Sequence, residues 1–301
     1  MVVGFVGLGA MGRPMALRLL AAGHELRVYA RRPEASTPLV DAGATAHATP
    51  AALAETCEVV ITMVTGTTDV EEVLLGPHGV ATGARPRTVA IDMSTISPVG
   101  TRRMAATLAA RGVHMLDAPV TGGVAGAEHG TLTIMVGGEP PVLERVRPVL
   151  TCLGNNIVYM GGPGAGQTAK ACNQLALLVT AEGVAEALAL ARRCALDPAL
   201  VRQALLGGIA ASRVLDVFGA RMIERQFQPT FPARLYHKDL HIVFDIARDA
   251  GQALPAASVV MQHIDTLMAR DQGGHDISVL IELLEEATCK VQSSKVEVES
   301  K

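Results

Sequence analysis

The chain is poor in the patterns that cysteine chemistry needs. Its five cysteines, Cys57, Cys152, Cys172, Cys194 and Cys289, are scattered and form no Cys-x-x-Cys. That argues against a disulfide framework or a thiolate zinc site and for free thiols in a reducing cytoplasm. Cys172 has no histidine beside it, so it is expected to pack. The nine histidines show no triad spacing. No His-x-Glu or Cys/His cluster offers ligands, so no metal is expected. A charge excess of either sign is missing too: 26 basic against 29 acidic residues leave a net charge of −3. Nothing in that balance suggests a nucleic-acid partner or a polybasic membrane surface. Small acidic metabolites stay open, because a local basic pocket does not show in a net charge. No apolar run reaches the roughly 20 residues that span a bilayer, so no membrane partner is expected. The start, Met-Val-Val-Gly-Phe-Val-Gly, lacks the basic region and cleavage site of a secretory signal. A cytoplasmic location is the expectation. No internal repeat is visible.

What is present divides into two grammars. With 301 residues the chain can hold two domains. Apolar strand-like runs recur at 2–6, 25–29, 59–64, 88–92, 114–117 and 133–136. Helix-like stretches such as 11–22 and 98–111 lie between them. Strand and helix in regular succession predict an α/β domain, a parallel Rossmann-type sheet covered on both faces, over 1–162. The glycine- and proline-rich segment 161–166 breaks the pattern. Beyond it the sequence is rich in Ala and Leu with helical periodicity. Residues 166–193 contain no proline and predict one interdomain helix about 40 Å long at about 1.5 Å per residue. Further helices are expected over 198–206, 214–224, 236–250, 256–270 and 278–287, giving an all-α domain over 163–289. The polar stretch 290–301 has no apolar face and is expected to be a disordered tail.

The turn Gly7-Leu8-Gly9-Ala10-Met11-Gly12 fits G-x-G-x-x-G. It follows the first strand directly and opens a helix, the context a dinucleotide-binding turn requires. Gly7 allows the turn, Gly9 admits the pyrophosphate to the backbone, and Gly12 lets helix and strand pack closely. At the end of the second strand, where an NAD site usually carries an acidic residue, stand Ala30, Arg31 and Arg32. Two guanidinium groups there favour the 2′-phosphate of NADP. The alternative is two solvated arginines and a site that accepts NAD.

Three further segments carry chemistry. In Asp117-Ala118-Pro119-Val120-Thr121-Gly122-Gly123, a hydroxyl and two glycines present exposed N–H groups, a cradle for a carboxylate. In Gly164-Ala165-Gly166-Gln167-Thr168-Ala169-Lys170-Ala171-Cys172-Asn173-Gln174, Lys170 and Asn173 are three apart and share a helix face. His237-Lys238-Asp239-Leu240 places a charge pair at the start of a helix. Together, and in this order along residues 1–287, these motifs resemble the β-hydroxyacid dehydrogenase family. Segments 92–98, 130–138 and 202–213 resemble its tartronate semialdehyde reductase branch.

The resemblance implies that Gly7 to Gly12, Met63, Val64, Thr95 and Lys238 bind the dinucleotide. Thr121, Gly122 and Gly123 would hold the substrate carboxylate, with Thr121 where the family usually has Ser. Lys170 would be the catalytic acid and Asn173 would bond polar groups of the substrate. Phe231 and Asp239 would close and orient the site. A lysine with this role needs a lowered pKa, from burial or a neighbouring cation such as Lys238. Asp239 could equally just pair Lys238, Phe231 could be plain core, and Ser212 and Arg213 fit a substrate contact or an ordinary turn. The implied activity is NAD(P)H-dependent reduction of a small carboxylate-bearing semialdehyde, with 2-hydroxy-3-oxopropionate going to D-glycerate. The 3-hydroxyisobutyrate and glyoxylate or succinic semialdehyde reactions are the alternatives, and a catalytically silent cofactor binder is a third class. A homodimer or homotetramer is also implied.

Overall fold

In the computed structural model, residues 1–229 and 231–286 are described. Expectations about Ala287, Cys289 and the 290–301 tail fall outside them. The chain divides into two compact units, one spanning Met1–Lys170 and one beginning at Ala171.

The first unit is built on a nine-stranded sheet in the order β3-β2-β1-β4-β5-β6-β8-β7, with β9 beside β8. The strands are β1 Val2–Val6, β2 Glu25–Tyr29, β3 Thr45–Ala46, β4 Val59–Thr62 and β5 Val89–Asp92. They continue as β6 His114–Asp117, β7 Val120–Thr121, β8 Thr133–Gly137 and β9 Asn156–Gly161. From β3 through β6 all pairs are parallel. Strand β8 runs antiparallel to β6 and β7 and parallel to β9. The expected parallel sheet is therefore mixed at one edge. Strand β7 continues in the direction of β6, and β8 lies between them running the other way.

Both faces of this sheet are covered, which the side-chain alternation requires. Val3, Phe5, Val59 and Ile61 point into one apolar cluster. Val6, Val60 and Ala90 point into another on the opposite face. Strands buried on both sides read as continuous apolar runs, which is why β1, β4 and β5 were visible in the sequence. The two-residue strands β3 and β7 carry no such run. Strand β9 has every residue at least partly exposed, so its signal was lost among the breakers around Gly161.

The second unit is helical. The helix Ala165–Arg193 begins in the first unit and continues into the second. Helices Pro198–Leu206, Arg213–Glu224, Ala233–Ala250 and Pro255–Ala269 follow. Their starts are dictated locally. Asp197 Oδ1 accepts from Ala199 N at 2.8 Å, with Pro198 at the first helical position. Ser212 Oγ accepts from Leu215 N at 2.9 Å, and Arg213 pairs with Asp216. Ser212 and Arg213 thus form an ordinary helix cap. The expected helix at 278–287 begins instead with a 3₁₀ turn, Ile277–Val279, fixed by Asp276 Oδ1 accepting from Ser278 N. Leu178, Ala185, Leu188, Leu240 and Ile264 lie in the core of this unit.

By length and composition the Ala165–Arg193 helix could cross a membrane. The reading of apolar runs in the sequence did not register this helix. A core helix meets the same measure, and Leu178, Ala181, Ala185 and Leu188 are fully buried here. The expectation that Cys172 packs is corrected. Cys172 is exposed, because the buried positions of this turn are Ala171 and Gln174.

Candidate active site

The glycine turn has the geometry its sequence predicts. Gly7 has φ +98°, and a Cβ there would lie 2.2 Å from the carbonyl oxygen of Met63. A Cβ on Gly12 would lie 1.9 Å from the carbonyl oxygen of Gly7. At Gly9 a Cβ would meet nothing within 4 Å. Two glycines are thus required by the protein's own packing, and the third opens onto free space. The helix Gly12–Ala21 begins without a side-chain cap or an acidic residue in its first turn. Its positive dipole end is therefore available to an anion, while Arg13 N and Met15 N already donate to Gly9 O and Met11 O. A dinucleotide pyrophosphate fits this turn.

The neighbouring residues expected to meet a cofactor are tied to the same strand ends. Met63 N donates to Val6 O at 2.9 Å. Val64 N donates to Ser94 Oγ at 2.9 Å. Thr95 follows in the same loop and is half-buried. Arg32 is exposed. Arg31 is 80% exposed and lies 3.4 Å from Asp69 Oδ1. An exposed pair of this kind contributes little, so a competing phosphate would meet small resistance.

Below the loops, two buried carboxylates anchor the long helix. Asp117, at the end of β6, accepts from Gly164 N at 2.8 Å and from Gln167 N at 2.9 Å. It thereby satisfies N–H groups at the start of the helix and complements its dipole. Asp92, at the end of β5, accepts from Thr62 Oγ1 at 2.8 Å and from Ser94 N at 3.3 Å. Gln167 joins the two strand ends: its Nε2 donates to Ser94 O at 2.8 Å and its Oε1 accepts from Ile96 N at 3.0 Å. Burial raises the pKa of Asp117. Burial, with Asp117 nearby adding to it, pushes Asp92 up to about 6. One turn beyond Gln167 stands Lys170, only 8% exposed. A lysine this buried is uncommon without a specific reason. The sequence reading missed Asp92 and Gln167 as supports, although a polar pair inside apolar strand and helix patterns was a usable signal.

The segment expected to cradle a carboxylate takes backbone angles that glycine permits. Thr121 ends β7 and pairs with Thr133. Gly122 and Gly123 follow with φ +130° and +64°. Gly122 precedes the short helix Gly123–His129 with no side-chain cap.

In the second unit, Asn173, Asp239 and Lys238 are brought together, and the link is a residue the sequence reading did not single out. Asn173 Nδ2 donates to Gln174 Oε1 at 2.9 Å. Gln174 Nε2 donates to Asp239 Oδ2 at 2.6 Å. Asp239 Oδ1 lies 2.9 Å from Lys238 Nζ. The Lys238–Asp239 pair sits in the second turn of its helix, not at the start, because the helix begins at Ala233. Phe231 is half-buried, edge-on to Tyr236 with ring centres 4.6 Å apart. His237 turns to Asp265 at 2.8 Å.

Two family models cover the chain. That of the NAD binding domain of 6-phosphogluconate dehydrogenase matches residues 2–161. That of the NAD-binding of NADP-dependent 3-hydroxyisobutyrate dehydrogenase matches residues 164–284. The 2-hydroxy-3-oxopropionate reductase of Escherichia coli (strain K12) is 42% identical over 285 residues, 95% of this chain and 97% of that protein. The solved 3-hydroxyisobutyrate dehydrogenase of Salmonella typhimurium matches with a TM-score of 0.87 and 30% identity, covering 94% of this chain and 99% of its own. The Mycobacterium tuberculosis 3-hydroxyisobutyrate dehydrogenase, solved with L-serine, matches with a TM-score of 0.86 and 32% identity, covering 94% and 98%. The chain belongs to the β-hydroxyacid dehydrogenase family and is an NAD(P)-dependent oxidoreductase acting on a small substrate.

Proposed function

We propose that the protein reduces 2-hydroxy-3-oxopropionate to D-glycerate with NADPH, and that Lys170 is the proton donor. The observation that carries the acid role is the placement of Lys170. It is buried on the first turns of a helix whose start is held by Asp117 and Gln167. A proton donor fixed in this way is oriented before substrate arrives, and positioning of that kind can supply several kcal/mol. The substrate preference is supported by the 42% identity to the Escherichia coli reductase.

The bound dihydronicotinamide would supply a hydride to the carbonyl carbon. The protein's part is to place that carbon and stabilise the charge that forms. Backbone N–H groups of Gly122 and Gly123, with the Thr121 hydroxyl, would hold the carboxylate. Lys170 Nζ would donate a proton to the carbonyl oxygen as negative charge builds there. Asn173 would bond a polar substituent of the substrate. Gly7 to Gly12, Met63, Val64, Thr95 and Lys238 would hold the cofactor, and Phe231 and Asp239 would shape the site. The functional division falls at 162/163, between the two family matches, and the protein works as a homodimer or homotetramer in the cytoplasm.

The test is an assay of the purified protein with NADPH and NADH against tartronate, methylmalonate and succinic semialdehydes and glyoxylate. Lys170→Ala should lose about 10²-fold or more in kcat while cofactor affinity stays. A variant that keeps its rate would remove Lys170 from the acid role. Faster turnover of methylmalonate semialdehyde would move the substrate to the 3-hydroxyisobutyrate reaction. Arg31→Ala with Arg32→Ala should raise the KM for NADPH about tenfold, one charge-assisted contact, and leave NADH nearly unaffected. Equal effects on both cofactors would refute the NADP preference.

A further inference from the structure

The line from Asn173 through Gln174 and Asp239 to Lys238 has a direction. An ionised carboxylate only accepts hydrogen bonds. Asp239 is 2% exposed and ion-paired to Lys238. Gln174, 3% exposed, must therefore turn its NH₂ group toward Asp239. Its carbonyl oxygen then faces the other way and accepts from Asn173 Nδ2. That commits the nitrogen side of the Asn173 amide and leaves Oδ1 as its open acceptor. Without Gln174 the amide could rotate by half a turn and offer N–H groups in the same place.

We propose that Gln174 is a positioning residue that sets the polarity of Asn173. Asn173 then presents a carbonyl oxygen to the substrate and selects acids that carry a hydroxyl on the carbon next to the carboxylate. The inference rests on the proposed contact between Asn173 and substrate. The chemistry is that of a site built to bond a hydroxyl. A substrate with hydrogen or methyl at that carbon leaves the acceptor unpaired, and sites of this kind discriminate more strongly than apolar ones. Lys238 and Asp239, whatever they do for the cofactor, act here as the fixed end of the line.

Glycerate and 3-hydroxypropanoate differ only by that hydroxyl, and both carry the carboxylate and the primary alcohol to be oxidised. Their kcat/KM ratio in the oxidation direction is the readout. Wild type should favour glycerate by about tenfold or more, the worth of one hydrogen bond. Gln174→Met, similar in length but unable to hold either partner, should bring the ratio about tenfold closer to one. Asp239→Asn should lower it in the same direction, because an amide at 239 accepts either orientation of Gln174. This second variant carries the test if Gln174→Met does not fold. A merely structural role would lower both substrates together and keep the ratio, which overturns the inference, as does a wild type without preference. Calorimetric binding of the two acids to NADP-loaded Lys170→Ala measures the same preference without turnover. A preference seen in binding but no reduction of any semialdehyde by wild type would sustain the polarity role and sink the reductase reading.

Discussion

At the scale of single residues, the glycine turn separates two requirements that the motif merges. Gly12 is needed by the fold, since its added Cβ would overlap the Gly7 carbonyl oxygen. Gly9 is needed by the ligand, since its added Cβ would meet no protein atom within 4 Å. Gly12→Ala should therefore cost about 1–3 kcal/mol in stability without cofactor. Gly9→Ala should stay within about 0.5 kcal/mol and yet weaken NADPH binding. Thermal unfolding without cofactor and fluorescence titration with it separate the two. Equal losses of stability would contradict the distinction. The residues of this turn were legible in the sequence because each glycine answers a local steric demand. Gln174 was not, because its importance lies in two partners, one adjacent and one 65 positions away. No spacing rule on a single helix points to such a pairing.

At the scale of elements, the ends of β5 and β6 do unusual work. In doubly wound sheets the carboxyl ends of strands face the ligand. Here Asp92 and Asp117 sit at those ends and are spent inward, on Ser94, Thr62 and the start of the long helix. Asp92 is fully buried, and its pKa of about 6 lies above the ordinary 3.8. The native state therefore holds this proton more tightly than the unfolded chain does. The contribution of Asp92 is greatest below about pH 4 and falls as pH rises to about 6. The stability difference between wild type and Asp92→Asn should accordingly shrink across that window in urea titrations. A difference that stays level would show that Asp92 does not titrate there. The strands themselves were readable from apolar runs, and the helices beyond Asp197 and Ser212 from helical periodicity. The reversal at β8 was hidden. The direction in which β8 returns after the helix Gly123–His129 is not written in its composition.

At the scale of the whole molecule, the two units differ in what they leave on the surface. Leu190, Leu196, Leu200 and Ile209, all in the second unit, are large apolar side chains exposed to solvent. Scattered exposed leucines are ordinary, and these four fall within twenty residues of sequence. Leu200→Glu should shift the sedimentation coefficient toward that of a monomer if the proposed oligomer uses this face. An unshifted oligomer would place the contact elsewhere. The division of the molecule was legible as a change of grammar after the breaker segment. The boundary between the compact units falls between Lys170 and Ala171, inside an unbroken helix. That continuity makes the helix phase-sensitive along its length. Each inserted residue would turn the rest of the helix relative to its start by about 100° and advance it by about 1.5 Å. Seven residues would restore the angle to within about 20° while displacing it by about 10 Å.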